Sequence, residues 1–305
     1  MVDILLATYN GEKYIQEQIE SLLEQTYKDI KILIRDDGST DRTVDIIKEL
    51  EISNSEIIKL IQDDKELHNP TANFFELCKH STSDYIMFCD QDDYWFPDKV
   101  ERSLKEIKKA ESNYPGLPIL AYGNYIIANK DLEPIGVDQS LVRKQTQWLT
   151  INHLLVQSCV TGCLCIINKA LKDLMGEYSK DILMHDWWLS QLAAATGKVI
   201  HFDDEVMYYR QHEENVVGAV DTDSAEYVRE RAMANDIRAN RDIMIKQARV
   251  LAETVKNVVP KEKMNVINAF IKMQSCSKIK RLYLLIRFGL WKEGLARKVS
   301  QIIFY

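Results

Sequence analysis

The sequence predicts an α/β fold in which a parallel sheet comes first and a mixed sheet follows. Short β-rich runs alternate with helical runs over the first 110 residues, which is typical of a parallel α/β sheet. From about residue 119 this alternation becomes irregular, so we expect strands of mixed direction there. After Gly218 the pattern is helical and contains no further glycine before Gly289, which predicts a helical C-terminal extension.

Each predicted element follows from a local pattern of apolar residues. The parallel half contains strands at 4–6, 30–34, 57–61 and 85–89 and helices at 12–25, 41–51 and 97–111. The second half contains a strand pair around 131–134, a helix at 149–156, a strand at 163–167, a helix at 186–195 and strands at 198–202 and 205–209. The extension contains helices at 224–255, 261–273 and 279–288.

Composition excludes several classes of protein. A net charge of −7 argues against a nucleic-acid-binding protein, because binding the phosphate backbone requires a clustered positive surface. The six cysteines form no CxxC pair and no zinc-finger spacing, so we expect reduced thiols in the cytoplasm. The first residues lack the pattern of a secretory signal, and no segment is apolar enough to predict a membrane span.

Polar turns follow four successive strands of the predicted parallel sheet. These turns are 8–11, 36–39, 62–64 and 90–93. Because right-handed crossovers bring the carboxyl ends of parallel strands to one edge, we expect the turns to form a nucleotide-sized crevice. The ordinary alternative for 36–39 is a turn followed by an Asp41 helix cap.

The most informative turn contains three carboxylates, those of Asp90, Asp92 and Asp93, directly after an apolar strand. Like charges so close together raise one another's pKa or recruit a cation, and carboxylates suit Mg²⁺ or Mn²⁺. The alternative is a solvated acidic loop that caps the next helix near Pro97. The second acidic turn, at Asp36 and Asp37, favours a metal and a phosphorylated substrate.

Several motifs together resemble the inverting nucleotide-sugar glycosyltransferases of family 2, and in particular the rhamnosyltransferases of streptococcal cell-wall polysaccharide assembly. These motifs are Ala7-Thr8-Tyr9-Asn10-Gly11, Arg35-Asp36-Asp37-Gly38-Ser39-Thr40-Asp41, Asp90-Gln91-Asp92-Asp93, Val160-Thr161-Gly162, Met184-His185-Asp186-Trp187 and the stretch 209–218. The resemblance covers roughly residues 1 to 220. It implies a GT-A domain at 1–220, a helical region at 221–305, a dTDP- or UDP-sugar donor and a divalent metal, Mn²⁺ or Mg²⁺.

The resemblance also implies a role for each site residue. The donor-binding residues are Thr8, Tyr9, Asn10, Asp37, Asn73, Asp90, Gln91 and Arg210, and the metal ligands are Asp92 and His212. Asp186 is the expected general base, with His185 as the second candidate, although Asp186 also suits a simple helix cap. Thr161, Gly162 and Trp187 are expected on the acceptor side.

The implied reaction is transfer of a sugar, L-rhamnose from dTDP-rhamnose, to a lipid-linked saccharide in cell-wall or capsular polysaccharide assembly. The alternatives are another donor such as a UDP-hexose, or a sugar nucleotidyltransferase. The latter class typically has a basic, glycine-rich loop after the first strand, whereas this turn has one glycine and Glu12. Ala72-Asn73 replaces the Arg-Asn pair of many family members, and the Gln-x-x-Arg-Trp motif of processive synthases is absent.

The C-terminal stretch 278–305 contains seven lysines and arginines and a single acid, Glu293. Its apolar residues Ile279, Leu282, Leu285, Ile286 and Leu290 have helical spacing. This combination predicts either a helix at the inner face of the cell membrane or a helix packed on the catalytic domain or in a homodimer.

Overall fold

The computed structural model describes residues 1–63, 65–135, 148–212 and 236–305, with side chains from residue 239 in the last range. The described strands are β1 (Val2–Thr8), β2 (Ile30–Asp36), β3 (Ile58–Ile61), β4 (Tyr85–Cys89), β5 (Tyr94–Trp95), β6 (Ile119–Ala128), β7 (Cys165–Asn168) and β8 (Lys198–Arg210). The described helices are α1 (Ile15–Leu23), α2 (Thr43–Ser53), α3 (Pro70–His80), α4 (Lys99–Asn113), α5 (Ile151–Leu154), α6 (Lys169–Leu174), α7 (His185–Thr196), α8 (Asp236–Val255), α9 (Lys261–Lys272), α10 (Lys278–Phe288) and α11 (Leu295–Phe304).

The eight strands form one sheet in the order β3-β2-β1-β4-β7-β6-β8-β5. Strands β1 to β4 pair in parallel, whereas β7 pairs antiparallel with both β4 and β6, and β5 pairs antiparallel with β8. The predicted parallel first half and mixed second half are confirmed. The strand order reverses between β1 and β4, and ligands of open α/β sheets bind at the carboxyl ends of strands at such a reversal.

Several predicted elements differ from the structure. At the predicted strand pair around 131–134 the chain makes a turn, in which the backbone N–H of Asn129 donates to the carbonyl of Glu133 at 2.9 Å, followed by a single antiparallel bridge between Ala128 and Pro134. Strands 198–202 and 205–209 are one continuous strand, β8. Helices α3, α6 and α11 and strands β5 and β6 were not predicted. The start of the predicted helix 224–255 lies outside the described residues.

The chain divides into two compact units. The first comprises Met1–Asp138, Val160–Asp173 and Ile200–Val216, and the second comprises Gln139–Cys159, Leu174–Val199 and Val217–Tyr305. The core of the first unit is the sheet, whose central strands β1 and β4 are almost completely buried. In the second unit, Gln247 of α8 donates to Gln191 of α7 at 2.9 Å and accepts the backbone N–H of Leu183 at 2.7 Å.

The predicted domain boundary at residue 220 falls outside the described ranges. No helix among the described residues is long and apolar enough to cross a membrane. All six cysteines are free thiols.

Candidate functional site

Hydrogen bonds connect the turn after β1 with the turn after β2. Thr8 Oγ1 donates to Asp36 Oδ2 at 2.8 Å, and the backbone N–H of Asn10 donates to Ser39 Oγ at 2.7 Å. Asn10 has a φ of +48°, a left-handed conformation that asparagine tolerates better than most residues. Its side-chain oxygen accepts the N–H of Thr40 at 2.9 Å. The two turns therefore form one rigid edge of the predicted crevice.

Gln91 joins this edge to the acidic loop after β4. Its side-chain amide makes two hydrogen bonds with the backbone of Tyr9, accepting the N–H at 2.8 Å and donating to the carbonyl at 2.9 Å. Gly11 is needed beside it, because an added Cβ would lie 2.4 Å from Gln91 Oε1. The side chain of Tyr9 is exposed, which leaves it available for stacking.

Asp37 and Asn73 belong to a buried network around Arg35. The Arg35 guanidinium is completely buried and donates to Asp37 Oδ1 at 3.3 Å and to Asn73 Oδ1 at 3.0 Å, while a bidentate pair with Asp63 lowers the pKa of that carboxyl. Asp37 also accepts the backbone N–H of Leu67 at 2.6 Å. In the structure both residues shape the loop after β3, and their contact with a donor remains a prediction. Asp64 of that predicted turn lies outside the described residues.

The acidic loop and the end of β8 meet at a short contact between Asp92 and His212. His212 Nε2 lies 2.8 Å from Asp92 Oδ2, and both side chains are largely buried. Asp90 and Asp93 of this loop form a second group with Cys163 of the turn before β7, with their ligand atoms within 4.8 Å of one another. The predicted ligands Asp92 and His212 are thus brought together although they are 120 residues apart in the sequence.

Asp93 gives an independent reason to expect a cation here. Burial, and then the charges of Asp92 and Asp90, raise the pKa of the Asp93 carboxyl well above its usual range. Its buried Oδ2 accepts no hydrogen bond from a nitrogen or oxygen donor in the described part of the chain, and the Cys163 thiol lies against this carboxyl. Carboxylate oxygens and an imidazole suit a divalent metal, and its charge would relieve the repulsion. The residues therefore fit Mn²⁺ or Mg²⁺.

Arg210 is buried beneath the acidic loop. Its Nε donates to the carbonyl of Asp92 at 2.8 Å, and its other nitrogens donate to Glu17 and to the carbonyl of Lys130. The ring of Tyr14 lies 4.7 Å from this guanidinium and 4.8 Å from the His212 ring, so it fills the space between them. In the structure Arg210 supports the loop, while its predicted contact with the donor phosphates remains a prediction.

Lys99 is a buried cation that the sequence did not single out. Its Nζ donates to the carbonyl of Cys163 at 2.6 Å and lies 3.7 Å from the centre of the Trp95 ring. Burial lowers the pKa of Lys99 to about 8, although the nearby Asp93 acts in the opposite direction. Lys99 therefore fixes the Thr161–Gly162–Cys163 turn beside the acidic loop. Thr161 and Gly162, predicted on the acceptor side, lead into β7 at this point.

The predicted base lies in the second unit, in the first turn of α7. Asp186 is half-buried, and its Oδ1 accepts the backbone N–H of Trp187 at 2.6 Å. The indole N–H of Trp187 donates to the carbonyl of Leu154 at 2.6 Å. His185 is buried, and burial lowers its pKa to about 3, which leaves it neutral but enclosed. Asp186 is therefore the better candidate for a base that exchanges protons with a substrate.

A small cavity in the second unit, of about 10 Å³ and therefore about one water in size, has aromatic and polar walls. Its lining residues are Trp148, His153, Gln157, Cys159, Trp291 and Glu293. Burial, together with the charges of Glu293 and Asp186, raises the pKa of the Cys159 thiol to about 12, so these carboxylates lie near the cavity. Tryptophan rings and carboxylates are groups that bind sugars. The sequence analysis missed this cavity because its two walls are 130 residues apart in the chain, at 148–159 and 291–293.

Comparison with known proteins identifies the family. The model of glycosyl transferase family 2 matches residues 3–170. The chain belongs to glycosyl transferase family 2. It is 34% identical over 238 residues to the dTDP-rhamnosyl transferase RfbG of Shigella flexneri, covering 73% of this chain and 77% of that protein. It is 33% identical over 169 residues to an Escherichia coli protein, the UDP-Glc:alpha-D-GlcNAc-diphosphoundecaprenol beta-1,3-glucosyltransferase WfgD, covering 55% of this chain and 59% of that one.

Solved structures confirm the fold of this glycosyltransferase. The structure of S. aureus TarS 1-349 in complex with UDP superposes with a TM-score of 0.59 at 18% identity, covering 91% of this chain and 73% of that one. The structure of the mannosyltransferase PcManGT from Pyrobaculum calidifontis, in complex with GDP-Man and Mn²⁺, superposes with a TM-score of 0.56 at 14% identity. The match covers 94% of this chain and 74% of that one. The predicted GT-A fold and the prediction of a hexosyltransferase are confirmed, and family membership argues against the nucleotidyltransferase alternative.

Proposed function

We propose that this glycosyltransferase moves L-rhamnose from dTDP-rhamnose to a lipid-linked saccharide, with inversion, during assembly of a cell-wall or capsular polysaccharide. The observation that carries the proposal is the convergence of the 8–11 turn, the 36–39 turn and the Asp92–His212 contact at the carboxyl ends of neighbouring strands. The rhamnosyl donor is inferred from the similarity to RfbG. Free thiols support a location in the cytoplasm, where nucleotide sugars are made.

The donor is proposed to bind along the rigid edge in the first unit. The exposed ring of Tyr9 would stack on the base, and Thr8, Asn10 and Gln91 would hold the edge in place for it. Asp92 and His212 would hold the metal, and Asp90 would reach the ribose or a metal-bound water. Bound metal neutralises charge on the departing nucleoside diphosphate.

The protein's own residues would supply the remaining chemistry. Asp186 would accept the proton of the acceptor hydroxyl as that oxygen attacks the sugar. Lys99 would hold the Thr161–Gly162–Cys163 turn in position, and Arg210 would hold the acidic loop. Trp187, Thr161 and Gly162 would lie along the acceptor. We further propose that Trp148, Trp291 and Glu293 contact one ring of the acceptor at the opening of the small cavity, because tryptophan rings pack on sugar faces and a carboxylate accepts hydrogen bonds from hydroxyls.

A UDP-hexose is the second candidate donor, because WfgD and WfaP of Escherichia coli are UDP-Glc-dependent enzymes. Purified protein would be given dTDP-rhamnose or UDP-glucose, Mn²⁺ and an N-acetylglucosamine diphosphate carrying an alkyl chain, and release of the nucleoside diphosphate would be measured. We expect faster release from dTDP-rhamnose. Faster release from UDP-glucose would replace the rhamnose assignment.

The roles of the two carboxylates are tested in the same assay. Asp186→Asn should abolish transfer and retain affinity for dTDP, whereas Asp92→Asn should lose the effect of Mn²⁺ on that affinity. Asp181→Asn, at a partly exposed acid of the second unit outside the proposed site, is the matched control and should retain activity. Equal loss of dTDP binding in the Asp186 and Asp92 variants would contradict the division of roles.

A further inference from the structure

The last two helices expose apolar side chains in regular stripes. On α10 the side chains of Ile279, Tyr283 and Ile286 are between 60% and 85% exposed. On α11 four apolar side chains are between 44% and 79% exposed, namely Leu295, Val299, Ile302 and Ile303. In both helices three exposed residues follow the spacing i, i+4, i+7, which places them on one face. These two stripes have no explanation in the folding of the second unit.

The packing of α10 is provided by a different set of residues. Leu284 and Leu285 are buried, and so is Leu290 just beyond the helix, whereas the stripe of Ile279, Tyr283 and Ile286 faces away from that packing. A helix that is only docked on its own domain needs a single apolar face. Because α10 has a second one, we infer that this second face has a partner outside the described structure.

Hydrogen bonds join the two helices, so their stripes belong to one structural element, which we call the C-terminal helix pair (278–305). Lys278 Nζ donates to the carbonyl of Ile303 at 3.0 Å, and Gln301 Nε2 donates to the carbonyl of Leu290 at 3.1 Å. The guanidinium of Arg281 donates to the carbonyl of Tyr305. Bonds at both ends of the segment hold the stripes in a fixed arrangement.

The charge of the helix pair identifies its partner. Seven lysines and arginines occur in 278–305 against one acid, Glu293. Lys280 and Arg287 are exposed and seven residues apart, so they lie on the same flank of the α10 stripe. Pairing with a second copy would bring two sets of positive charge together, whereas anionic phospholipids would neutralise them.

We propose that the C-terminal helix pair binds an anionic lipid surface. Its apolar stripes would lie at the boundary between headgroups and acyl chains, and its basic side chains would contact the phosphates. This differs from the face suggested by the sequence, because Leu285 and Leu290 pack inward and Tyr283 and α11 take part instead. The inference does not depend on the donor or on the metal. If the proposed function also holds, the lipid surface is where the enzyme would meet a lipid-linked acceptor.

Sedimentation of the full chain with vesicles tests the proposal. Vesicles of phosphatidylcholine with phosphatidylglycerol would be compared with phosphatidylcholine alone, using the triple variant Ile279→Ser, Tyr283→Ser, Ile286→Ser and the charge variant Lys280→Glu, Arg287→Glu. We expect binding to the anionic vesicles that falls at least about tenfold in each variant. All changed side chains are exposed, so melting temperature and dTDP binding should match those of the unchanged protein.

A matched control carries Ile52→Ser and Val258→Ser, which remove exposed apolar side chains elsewhere. It should bind anionic vesicles as the unchanged protein does. Failure of the unchanged protein to bind anionic vesicles, or equal binding by the triple variant, would overturn the proposal. Analytical ultracentrifugation adds one more outcome: a dimer that the triple variant abolishes, without vesicle binding, would assign the surface to a second copy of the chain.

Discussion

Replacing Lys99 by methionine tests whether the lysine that contacts the Thr161–Gly162–Cys163 turn is buried in the folded protein. Lys99 is completely buried, and burial lowers its pKa to about 8 from an ordinary value of 10.5. Between these two pH values the unfolded chain binds more protons than the folded chain, so the free energy of unfolding rises with pH. Below pH 8 both states are protonated, and the contribution that Lys99 makes at high pH is lost.

The size of the effect follows from the shift. A difference of 2.5 pH units corresponds to about 3 kcal/mol in total, of which about 1.5 kcal/mol develops between pH 8 and pH 9.5. Unfolding in urea, followed by tryptophan fluorescence at several pH values, would measure this in the unchanged protein and in Lys99→Met. Relative to Lys99→Met, the free energy of unfolding of the unchanged protein should rise by about 1.5 kcal/mol between pH 8 and pH 9.5.

The control is Lys105→Met, an exposed lysine on the same helix, α4. The difference in the free energy of unfolding between Lys105→Met and the unchanged protein should stay constant over the same pH range. If Lys99→Met also showed a constant difference in the free energy of unfolding, the pKa of Lys99 would be unshifted, and the burial assigned to its side chain beside the 161–163 turn would be refuted.

Three further predictions concern the site. Gly11→Ala should weaken dTDP binding at least about fivefold in calorimetry, because its Cβ would displace Gln91 and break the hydrogen bonds to Tyr9; unchanged affinity would contradict this. Arg210→Lys should lower the free energy of unfolding by about 2 kcal/mol in urea and weaken Mn²⁺ binding, since a lysine cannot make all of the guanidinium bonds; retention of both would remove its supporting role. Trp291→Leu should raise KM for the saccharide acceptor and leave KM for the donor unchanged. An acceptor KM equal to that of the unchanged protein would exclude the cavity as an acceptor site.

The sequence predicted the parallel strands and the acidic loop because both have a purely local pattern. The apolar run before Asp90 is short and bounded by polar residues, which favours a buried strand, and three acids within the four residues after it are conspicuous in any sequence. Helix α3 was also locally encoded and was overlooked: Asn69 caps it by accepting the N–H of Ala72 at 2.9 Å, and Pro70 is its first residue. The predicted strands 198–202 and 205–209 leave out Asp203 and Asp204, whose exposed acidic side chains interrupt the apolar pattern but not the backbone of β8.

The supporting residues could not be predicted in the same way. Arg35 and Lys99 are charged residues, which are normally exposed, and their burial depends on partners that are distant in sequence, such as Asp63 and Cys163. Arg210 was recognised, but its hydrogen bonds to Glu17 and the carbonyl of Asp92 become visible only when β8 is placed beside the acidic loop. Local patterns thus predict which loops carry the chemistry, and the fold determines which residues support them.

The measurement that tests the central claim most directly is calorimetric titration of the full chain with dTDP, UDP and GDP, each with and without Mn²⁺. Asp92 and His212 would hold the metal and its charge would favour the diphosphate, so dTDP or UDP should bind at least about tenfold more tightly with Mn²⁺, and His212→Gln should reduce that gain. Binding that is absent, or equal with and without the metal for all three nucleotides, would show that Asp90–Asp93 does not hold a metal for the donor and would contradict the account.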